Sequence, residues 1–127
     1  MGPAVSKLLL VIDDDPVERV LLERVLLGAG YRVLTAADGR AGLAAAESAH
    51  PDLVLLDVMM PHLNGYQACR ALKGSPATAR CPVLMLTAKH ETTDRFWAGE
   101  VGADAFLTKP ADVPLLLRTV AELTDRS

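Results

Sequence analysis

Short apolar runs recur along the chain, and each stops abruptly at a polar residue. Leu8-Leu9-Leu10-Val11-Ile12 stops at Asp13-Asp14-Asp15, and Leu53-Val54-Leu55-Leu56 stops at Asp57. Val83-Leu84-Met85-Leu86 stops at Thr87, and Ala105-Phe106-Leu107-Thr108 stops at Lys109-Pro110. Runs this short and apolar, separated by helix-like stretches, read as strands buried on both faces of a parallel sheet. The pattern predicts strands over 8–12, 31–34, 52–56, 82–86 and 104–108. A first helix opens with Asp15 as N-cap and Pro16 at the first helical position. Val17, Val20, Leu21 and Val25 supply its apolar stripe, and Gly28 and Gly30 close it. Further helices are predicted over 39–48, 65–73, 91–100 and 112–123.

Strand and helix alternate five times, which implies βαβ units around a parallel sheet. The expected fold is an α/β doubly wound sandwich of the flavodoxin-like (βα)5 type, with strand order 2-1-3-4-5. That order sets the first and third strands side by side, so Asp13, Asp14 and Asp57 become neighbours. In such sheets the chemistry sits just beyond the carboxyl ends of the strands. Asp52 and Asp104 stand at strand beginnings, on the opposite edge, and read as solvated caps or turn residues.

Bulk properties narrow the field. The 127 residues make one domain, 1–127, with a core over about 7–124. Half of the residues are apolar, and the formal charge is −3. No cluster of Lys and Arg marks a phosphate-backbone contact, so direct nucleic-acid binding is not expected. The N-terminus has no signal-peptide core, and no apolar run approaches a membrane span. A cytoplasmic protein without membrane insertion is expected. Cys69 and Cys81 form no CxxC pattern and read as reduced, partly buried thiols. Gly28-Ala29-Gly30 is a helix stop rather than GxGxxG. His50, His62 and His90 share no spacing and read as surface residues, with His62 near enough to Asp57 in sequence to touch a partner.

Carboxylates gathered this closely repel and raise one another's pKa unless a cation sits among them. An all-oxygen donor set favours Mg²⁺. A carboxylate can also attack phosphorus and form an aspartyl phosphate. Asp57, at the end of the central strand, is the candidate acceptor. Lys109 supplies an ammonium against the charge that develops in the transition state, and Thr87 a hydroxyl for a phosphoryl oxygen.

Val11-Ile12-Asp13-Asp14-Asp15-Pro16, Leu55-Leu56-Asp57-Val58-Met59-Met60-Pro61 with Gly65, Leu86-Thr87-Ala88 and Lys109-Pro110 occur in order along essentially the whole chain. As a set they resemble the CheY-like receiver domain of two-component response regulators. The resemblance implies that Asp57 takes a phosphoryl group from a phosphohistidine. It implies that Asp14, Asp57 and the Met59 carbonyl bind Mg²⁺ directly, with Asp13 acting mostly through water. It implies a cis Lys109-Pro110 peptide. It implies a switch in which Thr87 is drawn to the phosphoryl group and Phe106 turns inward. The helix over 91–100, the strand over 104–108 and the helix over 112–123 then form the responsive face. Thr93-Asp94-Arg95-Phe96-Trp97 resembles receivers of twitching-motility systems.

Three departures qualify the match. Met59 and Lys89 stand two residues after Asp57 and Thr87, where the family influences hydrolysis of the phosphoryl group. Apolar Met59 cannot orient an attacking water, which predicts slow autodephosphorylation. Ala111 follows Lys109-Pro110 where many members carry Phe, which weakens the case for the dimer of DNA-binding members, and a monomer or weak dimer is expected. Of Phe96 and Trp97, one is expected in the core and the other at a partner contact.

The expected partners are a sensor histidine kinase or phosphotransfer protein and a downstream protein target. The chain is expected to be a signalling switch and not an enzyme, beyond its own phosphotransfer and autodephosphorylation. A short polar tail, Thr124-Asp125-Arg126-Ser127, follows the last helix, and a stand-alone receiver without an output domain is expected. The alternative is a receiver cut from a longer regulator with DNA-binding or enzymatic output. A phosphatase acting through an aspartyl phosphate would usually need an acid two residues after the nucleophile, and Met59 stands there.

Overall fold

The computed structural model describes residues 6–58, 60, 63–87, 100–109 and 112–125. The strands are β1 (Leu8–Ile12), β2 (Arg32–Ala36), β3 (Leu53–Asp57), β4 (Val83–Thr87) and β5 (Ala105–Thr108). The helices among the described residues are α1 (Pro16–Gly28), α2 (Gly39–Ala49), α3 (Gly65–Gly74) and α4 (Val113–Thr124). The helix expected over 91–100, together with Met59, Pro61, His62, Lys89, His90, Phe96, Trp97, Pro110 and Ala111, falls outside the described residues, save for the end of that helix segment.

All strands pair in parallel, in the order β2-β1-β3-β4-β5. This is the expected flavodoxin-like arrangement. Strand alternation divides the core in two. Leu10, Ile12, Val54, Leu56, Val83 and Met85 pack on one face with Ala46, Ala68 and Leu72 of α2 and α3. Leu9, Val11, Leu53, Leu55, Leu84 and Leu86 pack on the other with Leu26 of α1 and Leu116 and Val120 of α4. β1, β3 and β4 are apolar at every core position because both of their faces are covered.

Boundaries shift where hydrogen bonding outlasts hydrophobicity. β3 runs on to Asp57, which pairs with Leu86, and β4 runs on to Thr87, which pairs with Thr108. Both polar residues therefore belong to the sheet rather than to the loops after it. β2 runs over Arg32–Ala36 instead of 31–34, because its register with β1 continues to Ala36 opposite Ile12.

The stripe expected on α1 is corrected except at Val25, which does face the core. Val17, Val20 and Leu21 are 65%, 44% and 57% exposed. The inward face is Leu22, Val25 and Leu26. Apolar residues occupy both sides of this helix, so periodicity alone could not choose between them. Its end follows expectation. Gly30, at φ +98, lets the Gly30 and Tyr31 amides reach the Leu27 and Leu26 carbonyls in a Schellman turn.

Asp52 and Asp104 lie at the strand beginnings, as expected, but each does more than cap a turn. Asp52 Oδ2 accepts from the Leu8 amide at 2.8 Å. Asp104 Oδ2 accepts from the Val83 amide and from Lys73 Nζ, each at 2.8 Å. Each carboxylate thereby ties the start of a neighbouring strand.

Close packing beneath Asp57 depends on Gly65. A Cβ there would lie 2.3 Å from the Asp57 carbonyl oxygen and 2.6 Å from the Val58 Cα. Both obstacles are backbone and cannot rotate away. At Gly74, by contrast, nothing lies within 4 Å. Gly65→Ala is expected to lower unfolding free energy by about 2 kcal/mol, in the range of overpacked cores. Gly74→Ala is expected to be neutral or stabilising by up to ~1 kcal/mol. Urea unfolding of the two variants checks this, and equal effects would refute the packing argument.

Candidate functional site

Carboxylates converge where β1 and β3 end. Asp13 and Asp14 follow β1 directly, and Asp57 closes β3. One ligand oxygen from each lies within 4.8 Å of the others. Asp13 and Asp57 are only 1% and 6% exposed, whereas Asp14 faces solvent. Asp13 is held by more than its neighbours. Its Oδ1 accepts the Asp15 amide at 2.9 Å, and its carbonyl accepts from Arg19 at 2.8 Å.

Lys109 enters the same cluster. Its Nζ donates to Asp57 Oδ1 at 2.9 Å, to Glu18 Oε2 at 2.9 Å and to Asp13 Oδ2 at 3.2 Å. An ammonium has three N–H donors, and here each finds a carboxylate. The Lys109 amide also bonds to the Thr87 carbonyl, which ties the lysine to the end of β4.

Glu18 is the member of this cluster that sequence reasoning missed. It stands three residues after Asp15, the N-cap of α1, whose side chain accepts from the Val17 and Glu18 amides. A glutamate in that position usually reaches back to the N-cap amide. Here Asp13 already holds that amide, so the Glu18 carboxylate turns to Lys109. α3 shows the ordinary outcome, with Asn64 and Gln67 closing both halves of a capping box. The legible signal was an acid at the third helical position whose usual partner the DDD run would claim.

Strand alternation explains which groups meet. Asp57 continues the Leu53, Leu55 side of β3, and Asp13 and Lys109 continue the Leu9, Val11 and Ala105, Leu107 sides of β1 and β5. All three therefore lean toward α1, where Glu18 is. Thr87 continues the Val83, Met85 side of β4, toward α2 and α3. Phe106 pairs with Met85 and packs on that same core, half-buried. Thr87 itself is buried, at 1% exposure. Thus Thr87 and Phe106 share one face of the sheet, and the charged cluster extends the other. Met59 falls outside the described residues.

Burial dominates the titration of the site. It pushes Asp57 up to about 6 from the usual 3.8, against the opposing pull of Lys109, and the charges of Asp13 and Asp14 add to the rise. Burial likewise raises Asp13. Burial opposes the charge of Lys109, but its hydrogen bonds to Asp57 and Glu18 win and hold its pKa above the ordinary lysine value. Four carboxylates against one ammonium leave the cluster strongly anionic. Its oxygen-only donors, two of them buried, suit a hard divalent cation such as Mg²⁺. The two cysteines differ from this. Both are free, and burial raises each thiol to about 11, so neither is poised as a nucleophile.

The Asp57 shift sets a pH dependence. Its folded pKa exceeds the unfolded one, so between pH 3.8 and about 6 the native state binds more protons. Stability therefore falls as pH rises through that window, by about 3 kcal/mol from this group in metal-free protein. In EDTA, Asp57→Asn is expected to gain stability relative to wild type as pH goes from 4 to 7. Parallel stability curves from urea unfolding would contradict this.

Comparison with known proteins agrees with the geometry. Residues 9–121 match the response regulator receiver domain family. The chain is 42% identical over 112 residues to protein PilH of Pseudomonas aeruginosa, covering 88% of this chain and 93% of that protein. It is 44% identical over 119 residues to the response regulator PleD of Caulobacter vibrioides, covering 94% of this chain but 26% of PleD. The chemotaxis protein CheY4 of Vibrio cholerae superposes with a TM-score of 0.89 at 34% identity, over 94% of this chain and 99% of that one. The receiver domain of the sensor histidine kinase PA1611 from Pseudomonas aeruginosa superposes with a TM-score of 0.88 at 30% identity, over 95% and 99%. That structure has a magnesium ion coordinated in its active-site cleft. With the strand order, the acidic cluster and these likenesses together, the chain belongs to the receiver domains of two-component response regulators.

Proposed function

We propose that this receiver is a phosphorylation switch with Asp57 as acceptor, Asp13 and Asp14 as its metal-binding partners, and Thr87 and Lys109 as phosphoryl contacts. The observation that carries the reading is the buried Asp57 carboxylate, 2.9 Å from Lys109 Nζ and beside two further acids. Asp14, Asp57 and the Met59 carbonyl would hold Mg²⁺ directly, with Asp13 acting mostly through water, and the ion would supply charge against the phosphoryl oxygens. An Asp57 oxygen attacks the phosphorus of a phosphohistidine. The new O–P bond forms as the P–N bond breaks, and its electron pair returns to the imidazole. Lys109 offsets charge on the transferring group, and the Thr87 hydroxyl donates to a phosphoryl oxygen.

Thr87 and Phe106 share a sheet face, which supports the switch. Movement of Thr87 toward the phosphoryl group opens space into which Phe106 turns, altering the surface around β5 and α4 for a protein target. The phosphoryl donor is a sensor histidine kinase or phosphotransfer protein. No described helix is long and apolar enough to cross a membrane, and a cytoplasmic setting fits this role. The unit is one receiver domain over 1–127, a monomer or weak dimer. Apolar Met59 leaves autodephosphorylation slow.

Incubation with Mg²⁺ and acetyl phosphate is expected to add one hydroxylamine-labile phosphoryl group, read by intact mass. Asp57→Asn should gain none, and Thr87→Ala should slow labelling severalfold. Labelling that persists in Asp57→Asn would refute this assignment.

A further inference from the structure

We propose that Glu18 is a positioning residue for phosphotransfer, holding the Lys109 ammonium at the site when Asp13 and Asp57 are engaged by the cation. This rests on the reading of Asp57 as acceptor. Lys109 has three carboxylate partners. Two of them, Asp13 and Asp57, also belong to the group that can hold a metal ion, and Glu18 does not. Once a dication shares Asp13 and Asp57, their attraction for Lys109 falls and the cation itself repels the ammonium. Glu18 is then the remaining carboxylate within 2.9 Å of Lys109 Nζ.

Three features make Glu18 suited to this. It projects from the first turn of α1, whose N-cap is fixed by Asp15, so its base is rigid. Its usual backbone partner is taken by Asp13, so its carboxylate has no competing cap to make. Lys109 needs such a holder, because its ammonium rides on a flexible four-carbon stem. At 40% side-chain exposure the pair contributes modestly, of the order of a fivefold effect.

A double-mutant cycle tests the inference with Glu18→Gln, Lys109→Met and the double variant. Calorimetry reads Mg²⁺ affinity, and acetyl phosphate labelling reads transfer. In the Lys109 protein, Glu18→Gln is expected to weaken Mg²⁺ binding and slow labelling about fivefold each. In the Lys109→Met background the Mg²⁺ effect should vanish. Glu18→Asp, which keeps the charge but loses reach, should resemble Glu18→Gln. An unchanged Glu18→Gln, an effect that persists without Lys109, or full rescue by Glu18→Asp would overturn the proposal. If wild type binds Mg²⁺ but takes no label, the acceptor reading fails, and the affinity cycle still decides the role of Glu18.

Discussion

One ammonium surrounded by carboxylates is the interaction on which this site depends. Asp13 and Asp57 are buried, and desolvation there disfavours their charged forms. Lys109 reaches them from the other end of the chain sequence and satisfies Glu18 as well. Even so, desolvation prevails at Asp57 and lifts it to about 6. The site is therefore under-neutralised as it stands. That imbalance favours an incoming cation.

The sheet makes this arrangement possible by sending polar strand ends to opposite faces. Asp13, Asp57 and Lys109 extend the α1–α4 core, and Thr87 and Phe106 belong with the α2–α3 core. A phosphoryl group at Asp57 would lie at the junction of the two. Under the proposed switch, a pull on Thr87 would act on a packed layer that contains Phe106 and Met85, where close packing resists continuous deformation. Gly65 matters for the same reason. It allows α3 to begin against the Asp57 backbone, so the end of β3 that carries Asp57 is braced from below.

Much of this was legible in the chain. The apolar runs and their terminal residues revealed the strands, their order and the candidates Asp13, Asp14, Asp57, Thr87 and Lys109. Their meeting needs only a parallel sheet in the order β2-β1-β3-β4-β5, which short βαβ units favour. Helix α1 was less readable. With apolar residues on both sides, its buried face was chosen by the fit of Leu22, Val25 and Leu26 against the sheet, leaving Val17, Val20 and Leu21 outside.

Sequence by itself determined the fold class and the chemistry gathered at one sheet edge, because hydrophobic runs and their boundaries are local signals. Tertiary structure decided that Glu18 shares Lys109, that Asp52 and Asp104 tie strand beginnings, and, through the pairing of Asp57 with Leu86, that Thr87 and Asp57 lean to opposite faces. Those outcomes rest on which hydrogen-bond partner is already taken and on strand register. Both are settled only when distant segments pack together.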